Sequence, residues 1–296
     1  MNSYSFILFF FLPILWRRKK RRLSAYEQYL ISEIATTQKV PSSKAKSIYY
    51  KSLKNSIGIH FNFAYLMNLP TKLMLMELKN IDIINEEILT TLEATNRPII
   101  MASIHSGDFN SGFLKLASTS KTKRTINIVK LSKQSPKEER MITRIKEFCS
   151  NINILRFNNE IAKICFFQLR KNNIVAIMND VEVRVNKRVP VDFMGRKCHF
   201  QCGIAQLAIP AKAMTLPVIN YKDSQGNNVI KIEQPLDSQL QENENTQAAI
   251  QRLTQAIASH MESWITDHPE QFHCWEFMTK TLNAKENDKV NWHVQY

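Results

Sequence analysis

Glycine and cysteine are both scarce in this sequence of 296 residues. It contains six glycines, far below the roughly 7% of average usage, and Gly107, Gly112, Gly195 and Gly203 fall in two short segments. The five cysteines are odd in number and sparse for the length, which argues against a disulfide framework and favours a reducing compartment. Where glycine is this rare, the segments that contain it are the first candidates for tight turns and functional loops.

Two common catalytic signatures are also missing. The sequence has no G-x-S-x-G elbow and no phosphate-binding P-loop, so it resembles neither a serine hydrolase of the α/β type nor a P-loop nucleotidase. Its 44% hydrophobic and 22% charged residues exclude a disordered or fibrous chain. The length is enough for one elaborated domain with a sizeable core.

The N-terminus has the composition of a membrane-anchoring segment. An uncharged apolar run, Phe6–Trp16, is followed at once by the basic run Arg17–Arg22, and the whole chain has a formal net charge of +14. A secretory signal has its cations before the apolar core, whereas here the order is reversed. Pro13 and the short length leave two readings, a marginal spanning helix or an interfacial anchor. Either places the protein on the cytoplasmic face of the inner membrane, on an anionic lipid surface, and the phenylalanines argue against nucleic acid.

The rest of the chain changes character near Pro98. Residues 23–94 have helical periodicity without a convincing strand pair, and 95–280 alternate short β-branched runs with helical stretches. Residues 281–296 form a tail, and 1–22 the anchor with its polybasic flank. The predicted fold class is α/β, with a mostly parallel twisted sheet and flanking helices, preceded by a helical N-terminal region and the membrane anchor.

The segment PIIMASIHSGDFNSGFLKLA has the most chemical content. A buried strand leads to His105, and Gly107 permits a tight turn from which a helix departs. An imidazole at the carboxyl edge of a sheet is suited to general base catalysis, and the helix start offers free N–H groups for a developing negative charge. A purely structural histidine at a strand end remains open on these residues alone.

The same segment resembles the His-x4-acid motif of the lauroyl and myristoyl acyltransferases of lipid A biosynthesis, part of a wider group of lysophospholipid acyltransferase-like enzymes. His105, Gly107, Asp108 and Phe109 match, whereas Asn110 stands where the family has its carboxylate. Three later segments follow the family order, namely IVAIMND, VPVDFMGRKCHFQCGIAQLA and ITDHPEQFHCWEF.

The resemblance implies an O-acyltransferase. A fatty acyl chain would pass from the thioester of an acyl carrier protein to a hydroxyl of a lipid A-type glycolipid, with His105 as the general base and without a cofactor. Two other readings stay open: the same chemistry on an acceptor other than lipid A, and a catalytically silent lipid-binding scaffold.

The departure at Asn110 leaves the acid of the motif unassigned. In the family pattern the acid orients the histidine and compensates the imidazolium charge, and an amide brings no charge. Asp108 has two open roles, a substitute acid or a helix N-cap. The predicted catalytic set is therefore His105, Asp108 and Asn110, and a damaging Asp108→Asn with a milder Asn110→Ala is expected.

Other positions are predicted from the resemblance to bind substrate. They are Arg140, Arg144, Asp180, Gly195 and Arg196. Each arginine has the alternative of a solvated surface charge. Cys198, His199 and Cys202, with His273 and Cys274, permit a zinc reading, but no second pair follows with defined spacing, so no metal is expected. The terminal box, His268 to Trp275, is expected to pack on the core.

Overall fold

The protein is an α/β structure, seen in a computed structural model that describes residues 23–119, 124–131, 135–180 and 187–283. Its helices are α1 Ala25–Thr37, α2 Ser42–Asn68, α3 Thr71–Lys79, α4 Glu86–Ala94, α5 Phe109–Thr119, α6 Pro136–Phe148, α7 Ile161–Arg170, α8 Gly203–Ala211, α9 Thr246–Asp267 and α10 Trp275–Leu282. Its strands are β1 Asp82–Ile84, β2 Ile99–Ser103, β3 Ile126–Lys130, β4 Ile152–Arg156, β5 Ile174–Met178, β6 Arg188–Phe193, β7 Arg196–Gln201, β8 Met214–Lys222 and β9 Asn228–Ile232.

A seven-stranded sheet forms the centre, in the order β1-β9-β8-β2-β5-β3-β4. Neighbouring strands are parallel except for the antiparallel pair β8 and β9. The predicted mostly parallel sheet with flanking helices is confirmed. Every residue of β2 is buried, as expected of a strand that helices cover on both faces.

The register of β2 and β5 brings two loops together. The strands run parallel with Ser103 opposite Met178. His105 follows Ser103 by two residues, and Asp180 follows Met178 by two. Since the carboxyl ends of parallel strands meet at one edge, both side chains emerge at the same point of the sheet.

Two apolar clusters lie on opposite faces of the sheet. Ile100 and Ala102 of β2 belong to one cluster, and Ile99 and Met101 belong to the other, following the two-residue period of a strand. The long helix α2 contributes to both clusters, with its N-terminal half in the first and Leu66 in the second. It therefore passes from one face of the sheet to the other.

The structure differs from the sequence reading in two elements. Asp82–Ile84 forms an edge strand beside β9, within the stretch that was expected to be helical. Arg196–Gln201 pairs with Arg188–Phe193 as a separate hairpin, where no second strand was predicted. Both strands are short or polar and derive their pairing from distant partners, which local periodicity does not encode.

The predicted membrane anchor stays a prediction. Residues 1–22 lie outside the described residues, as does most of the predicted tail. Within the described ranges, no helix combines the length and the apolar character needed to cross a bilayer.

Close packing at α5 generates the first prediction. A Cβ at Gly112 would lie 1.7 Å from Oδ1 of Asn220, a buried residue of β8. Gly112→Ala should therefore lower the free energy of unfolding by about 1–3 kcal/mol in chemical denaturation. Gly58→Ala, in the interior of α2 with open space around it, is the matched control and should stabilise by about 0.5–1 kcal/mol. Equal effects of the two changes would contradict the packing argument.

Candidate active site

His105 and Asp180 form a hydrogen-bonded pair at the carboxyl edge of the sheet. Nδ1 of His105 lies 2.8 Å from Oδ1 of Asp180, and the backbone N–H of His105 donates to Oδ2 at 2.7 Å. One carboxylate thus fixes both the ring and the main chain of a single histidine. Because Nδ1 faces the carboxylate, Nε2 is the ring nitrogen left to exchange a proton with a substrate.

The two partners differ in their access to solvent. The Asp180 side chain is fully buried, whereas the His105 side chain is 24% exposed. A buried carboxylate requires compensating donors, and His105 supplies two of them. The arrangement presents the imidazole outward and keeps its orienting acid behind it. It resembles the geometry in which an acid orients a general base.

The C-terminal box holds the loop that contains His105. Its backbone pairs with that loop in antiparallel fashion, through the bridge between Ser106 and Phe272. The His273 N–H donates to the His105 carbonyl at 2.9 Å, and the Gly107 N–H donates to the Gln271 carbonyl at 3.2 Å. Sequence reasoning expected this box to pack on the core, and it missed the contact with the loop that contains His105.

Three further contacts anchor the box itself. The Gln271 side chain accepts from the Lys222 N–H at 2.6 Å and donates to the Lys222 carbonyl at 2.7 Å, which ties it to the end of β8. Ser52 of α2 donates to the Phe272 carbonyl, and Asn55 donates to the Glu270 carbonyl at 2.8 Å. The loop of His105 therefore rests on a segment fixed from two sides.

His273 is a second histidine beside the first. Its Nε2 lies 2.8 Å from the Gly107 carbonyl, and its ring is 6.2 Å from the Phe109 ring, which also meets His105 edge-on at 4.7 Å. Burial lowers the pKa of His273 to about 4. The ring is consequently neutral near pH 7, and its Nε2–H donates to the turn at Gly107.

Cys274 completes the group around Asp180. The Cys274 Sγ, a His105 ring nitrogen and an Asp180 carboxylate oxygen lie within 4.8 Å of one another, and among the described residues this is the group with metal-ligand chemistry. Burial, and then the Asp180 carboxylate, raise the pKa of the Cys274 thiol well above its usual range. A protonated Cys274 thiol that donates a hydrogen bond to Asp180 accounts for the close approach. The thiol is therefore a third hydrogen-bond donor to the buried carboxylate.

Cys198 and Cys202, two residues of the zinc alternative, have other partners. The Cys198 thiol approaches the carbonyls of Phe193, Arg196 and Leu282, and the Cys202 thiol lies 3.4 Å from the Lys187 carbonyl. Each thiol therefore contacts main-chain carbonyls rather than sharing a site with the other.

Asp108 and Asn110 do not contact the His105 ring through hydrogen bonds in the described part of the chain. The Asp108 carboxylate is buried and accepts from the Ser111 N–H at 3.3 Å, as an N-cap of α5 does. Burial raises its pKa. Asn110 lies in the first turn of α5, half-buried. The carboxylate that pairs with His105 is Asp180, which the sequence analysis had placed among the substrate-binding residues.

Two of the remaining predicted substrate residues, Arg144 and Arg196, have structural contacts. Arg144 donates to the Leu69 carbonyl at 2.7 Å and to Thr71 at 3.0 Å, joining α6 to the turn between α2 and α3. Arg196 pairs with Glu33 of α1 at 2.8 Å. The other two positions are Gly195, in the β6–β7 turn with φ of 72°, and Arg140, exposed on α6. Their roles toward substrate stay predictions.

A comparison with protein families shows which family contains this chain. The model of the bacterial lipid A biosynthesis acyltransferases matches residues 40–276, which is most of the chain. The chain belongs to this family. It is therefore an acyltransferase of lipid A biosynthesis type, and the resemblance drawn from the sequence is confirmed. The comparison with curated proteins gives no match.

The residues that form the site of this acyltransferase all lie within the part of the chain that matches the family. The matched range contains His105, Asp180 and the whole C-terminal box. The box was recognisable in the sequence as part of the resemblance, but its contact with the His105 loop depends on long-range pairing. No local signal marks His273 or Cys274 as neighbours of His105.

The low pKa of His273 makes folding stability depend on pH. Below pH 6.5 the unfolded chain binds a proton at this ring, and the folded chain does not until about pH 4. The free energy of unfolding should fall through this window, by up to about 3 kcal/mol from this residue.

Denaturation of wild type and His273→Gln at pH 7 and pH 5 measures the effect. The variant, which has no titrating ring, should lose less stability between the two pH values than wild type does. His260 and His268, whose pKa values burial also lowers, remain in both proteins, so part of the slope persists. An identical slope would show that His273 is protonated in the folded state.

Proposed function

We propose that this protein transfers a fatty acyl chain from the thioester of an acyl carrier protein to a hydroxyl of a lipid A-type glycolipid, with His105 as the general base. The observation that supports this most is the 2.8 Å contact between Nδ1 of His105 and the buried carboxylate of Asp180. An oriented imidazole with its second nitrogen free is what a direct attack by an alcohol requires.

The reaction needs no covalent enzyme intermediate. Nε2 of His105 takes the proton as the hydroxyl oxygen attacks the thioester carbonyl, and a tetrahedral oxyanion forms. The intermediate then collapses, the C–S bond breaks, and the imidazolium returns the proton to the departing thiolate. The products are the O-acyl ester and the free thiol of the carrier, so atoms and protons balance.

The start of α5 is suited to hold the oxyanion. The first-turn N–H groups of Phe109 and Asn110 have no hydrogen-bond partner among the described residues. They lie within five residues of His105, at the positive end of the helix. Such donors act on the charge that develops during acyl transfer.

In this proposal Asp180 has the role that the family motif gives to its acid. The motif position is Asn110, which has no charge to set against the imidazolium. Asp180 reaches the same ring from the end of β5 and is ionisable. Asp108, the substitute favoured by spacing, caps α5 instead. The silent-scaffold reading gains no support from a site in which the histidine already has a carboxylate.

The inner membrane, on its cytoplasmic face, is the proposed location. The apolar run and the basic run at the N-terminus support it, since cations next to an apolar segment favour the cytoplasmic side. Lipid-linked acceptors lie in that membrane, and acidic carrier proteins lie in the cytoplasm. A glycolipid acceptor other than lipid A is distinguished by the product of the reaction described next.

Acyl transfer by the purified protein tests the assignment. Labelled acyl carrier thioesters are incubated with a lipid A precursor and with other glycolipids, and the acylated product is identified. His105→Ala should lower kcat by about 10²–10⁴. Asp180→Asn, which keeps the shape but removes the charge, should lower kcat more than Asp108→Asn or Asn110→Ala does.

Circular dichroism on each variant separates loss of catalysis from loss of folding. Transfer that continues at the wild-type rate in His105→Ala would refute the general base. A larger loss in Asp108→Asn than in Asp180→Asn would return the acid to the position expected from the sequence.

A further inference from the structure

Helix α2 lies against the segment that holds the His105 loop. Its N-terminal half packs in one core cluster, and Leu66, near its end, packs in the cluster on the other face of the sheet. Between them, Ser52 and Asn55 bond to the segment that holds the His105 loop. The middle of α2 therefore lies at the carboxyl edge of the sheet, where the imidazole emerges.

The charged side chains of α2 are all positive. The helix contains no aspartate and no glutamate, and all of its lysines are exposed. None of these lysines takes part in an ion pair among the described residues. They are Lys44, Lys46, Lys51 and Lys54. The helix thus presents unneutralised positive charge to the surroundings.

Large apolar side chains share the outer face with these cations. Ile57 is 44% exposed and Phe61 is 50% exposed, one helical turn apart. Lys51 and Lys54 precede them at helical spacing, so the four side chains form one stripe. Ser52 and Ile59 point to the protein. A basic and aromatic stripe on one helix is typical of helices that lie in the plane of an anionic membrane surface.

Leu23, at the N-terminal end of the described residues, lies beside this helix. Leu23 lines a hollow together with Ser42, Ser43 and Lys46, at the start of α2. In the sequence, the basic run Arg17–Arg22 directly precedes Leu23. Both groups of cations favour an anionic surface.

We propose that the outer face of α2, formed by Lys51, Lys54, Ile57 and Phe61, rests on an anionic lipid surface and so holds the His105 site at the membrane plane. The inference rests on the proposed function in one respect, that the acceptor is a lipid. An acidic carrier protein would pair with the lysines, but it gives no reason for two large apolar side chains to be half exposed beside them. Lipid accommodates both.

Fluorescence at position 61 tests this contact without requiring catalysis. All five native cysteines are buried, so an added surface cysteine is labelled selectively. Full-length Phe61→Cys bearing an environment-sensitive label is mixed with vesicles of phosphatidylglycerol and phosphatidylcholine that contain nitroxide-labelled lipid. Phe167→Cys on α7 is the matched control, because Phe167 is 53% exposed.

The label at position 61 should shift to the blue and be quenched by the nitroxide lipid, and the label at position 167 should not respond. An unchanged signal at position 61, an equal response at position 167, or a response to acyl carrier protein instead of vesicles would overturn the proposal. If the label responds as expected while no acyl transfer is found, the proposed function fails and the lipid contact stands.

Charge reversal gives a second readout. Lys51→Glu with Lys54→Glu should raise the apparent KM for an acceptor in anionic vesicles several-fold and leave kcat for a detergent-dispersed acceptor unchanged. The control is Lys163→Glu with Lys171→Glu, two exposed lysines at α7. Equal effects of the two double variants would overturn the proposal, since net charge alone would then explain the change.

Discussion

The double hydrogen bond between Asp180 and His105 is the interaction on which the site depends. A single carboxylate accepts from the ring and from the main-chain N–H of the same residue, so it sets the side-chain rotamer and the loop conformation together. The charge is fully buried, and a buried carboxylate that lost these donors would be strongly destabilised. The site and the end of β2 therefore depend on each other for stability.

The rest of the fold maintains the register that this pair needs. Parallel pairing of β2 with β5 brings the two loops together, and the C-terminal box then fixes the histidine loop through main-chain bonds on both sides of Ser106. Gln271 transmits the position of β8 to that box through two bonds to Lys222. Main-chain contacts dominate, which explains how loops at a sheet edge can hold an imidazole in place.

The sequence predicted the type of fold and the position of His105 at the sheet edge better than it predicted the partners of His105. Apolar β-branched runs such as Ile99–Ser103 are strong local signals, and they indicated the parallel sheet correctly. His105 was found because its segment follows such a run. Asp180 was noticed but given another role, since the pairing order of β2 and β5 is a long-range property. The edge strand at Asp82 and the contacts of His273 and Cys274 were missed for the same reason.

The carboxylate that contacts His105 comes from the end of β5 and not from position 110, where the family motif has its acid. Asn110 lies in the first turn of α5 and makes no hydrogen bond to the His105 ring among the described residues, whereas Asp180 reaches that ring from the end of β5. The β5 position is fixed by the sheet register, so Asp180 keeps its place whatever residue occupies the first turn of the helix. The Asp108 carboxylate caps this end of α5 through the Ser111 N–H, and the N–H groups of Phe109 and Asn110 have no hydrogen-bond partner among the described residues. In the proposed mechanism these N–H groups would hold the oxyanion, and Asp180 would balance the charge of the imidazolium.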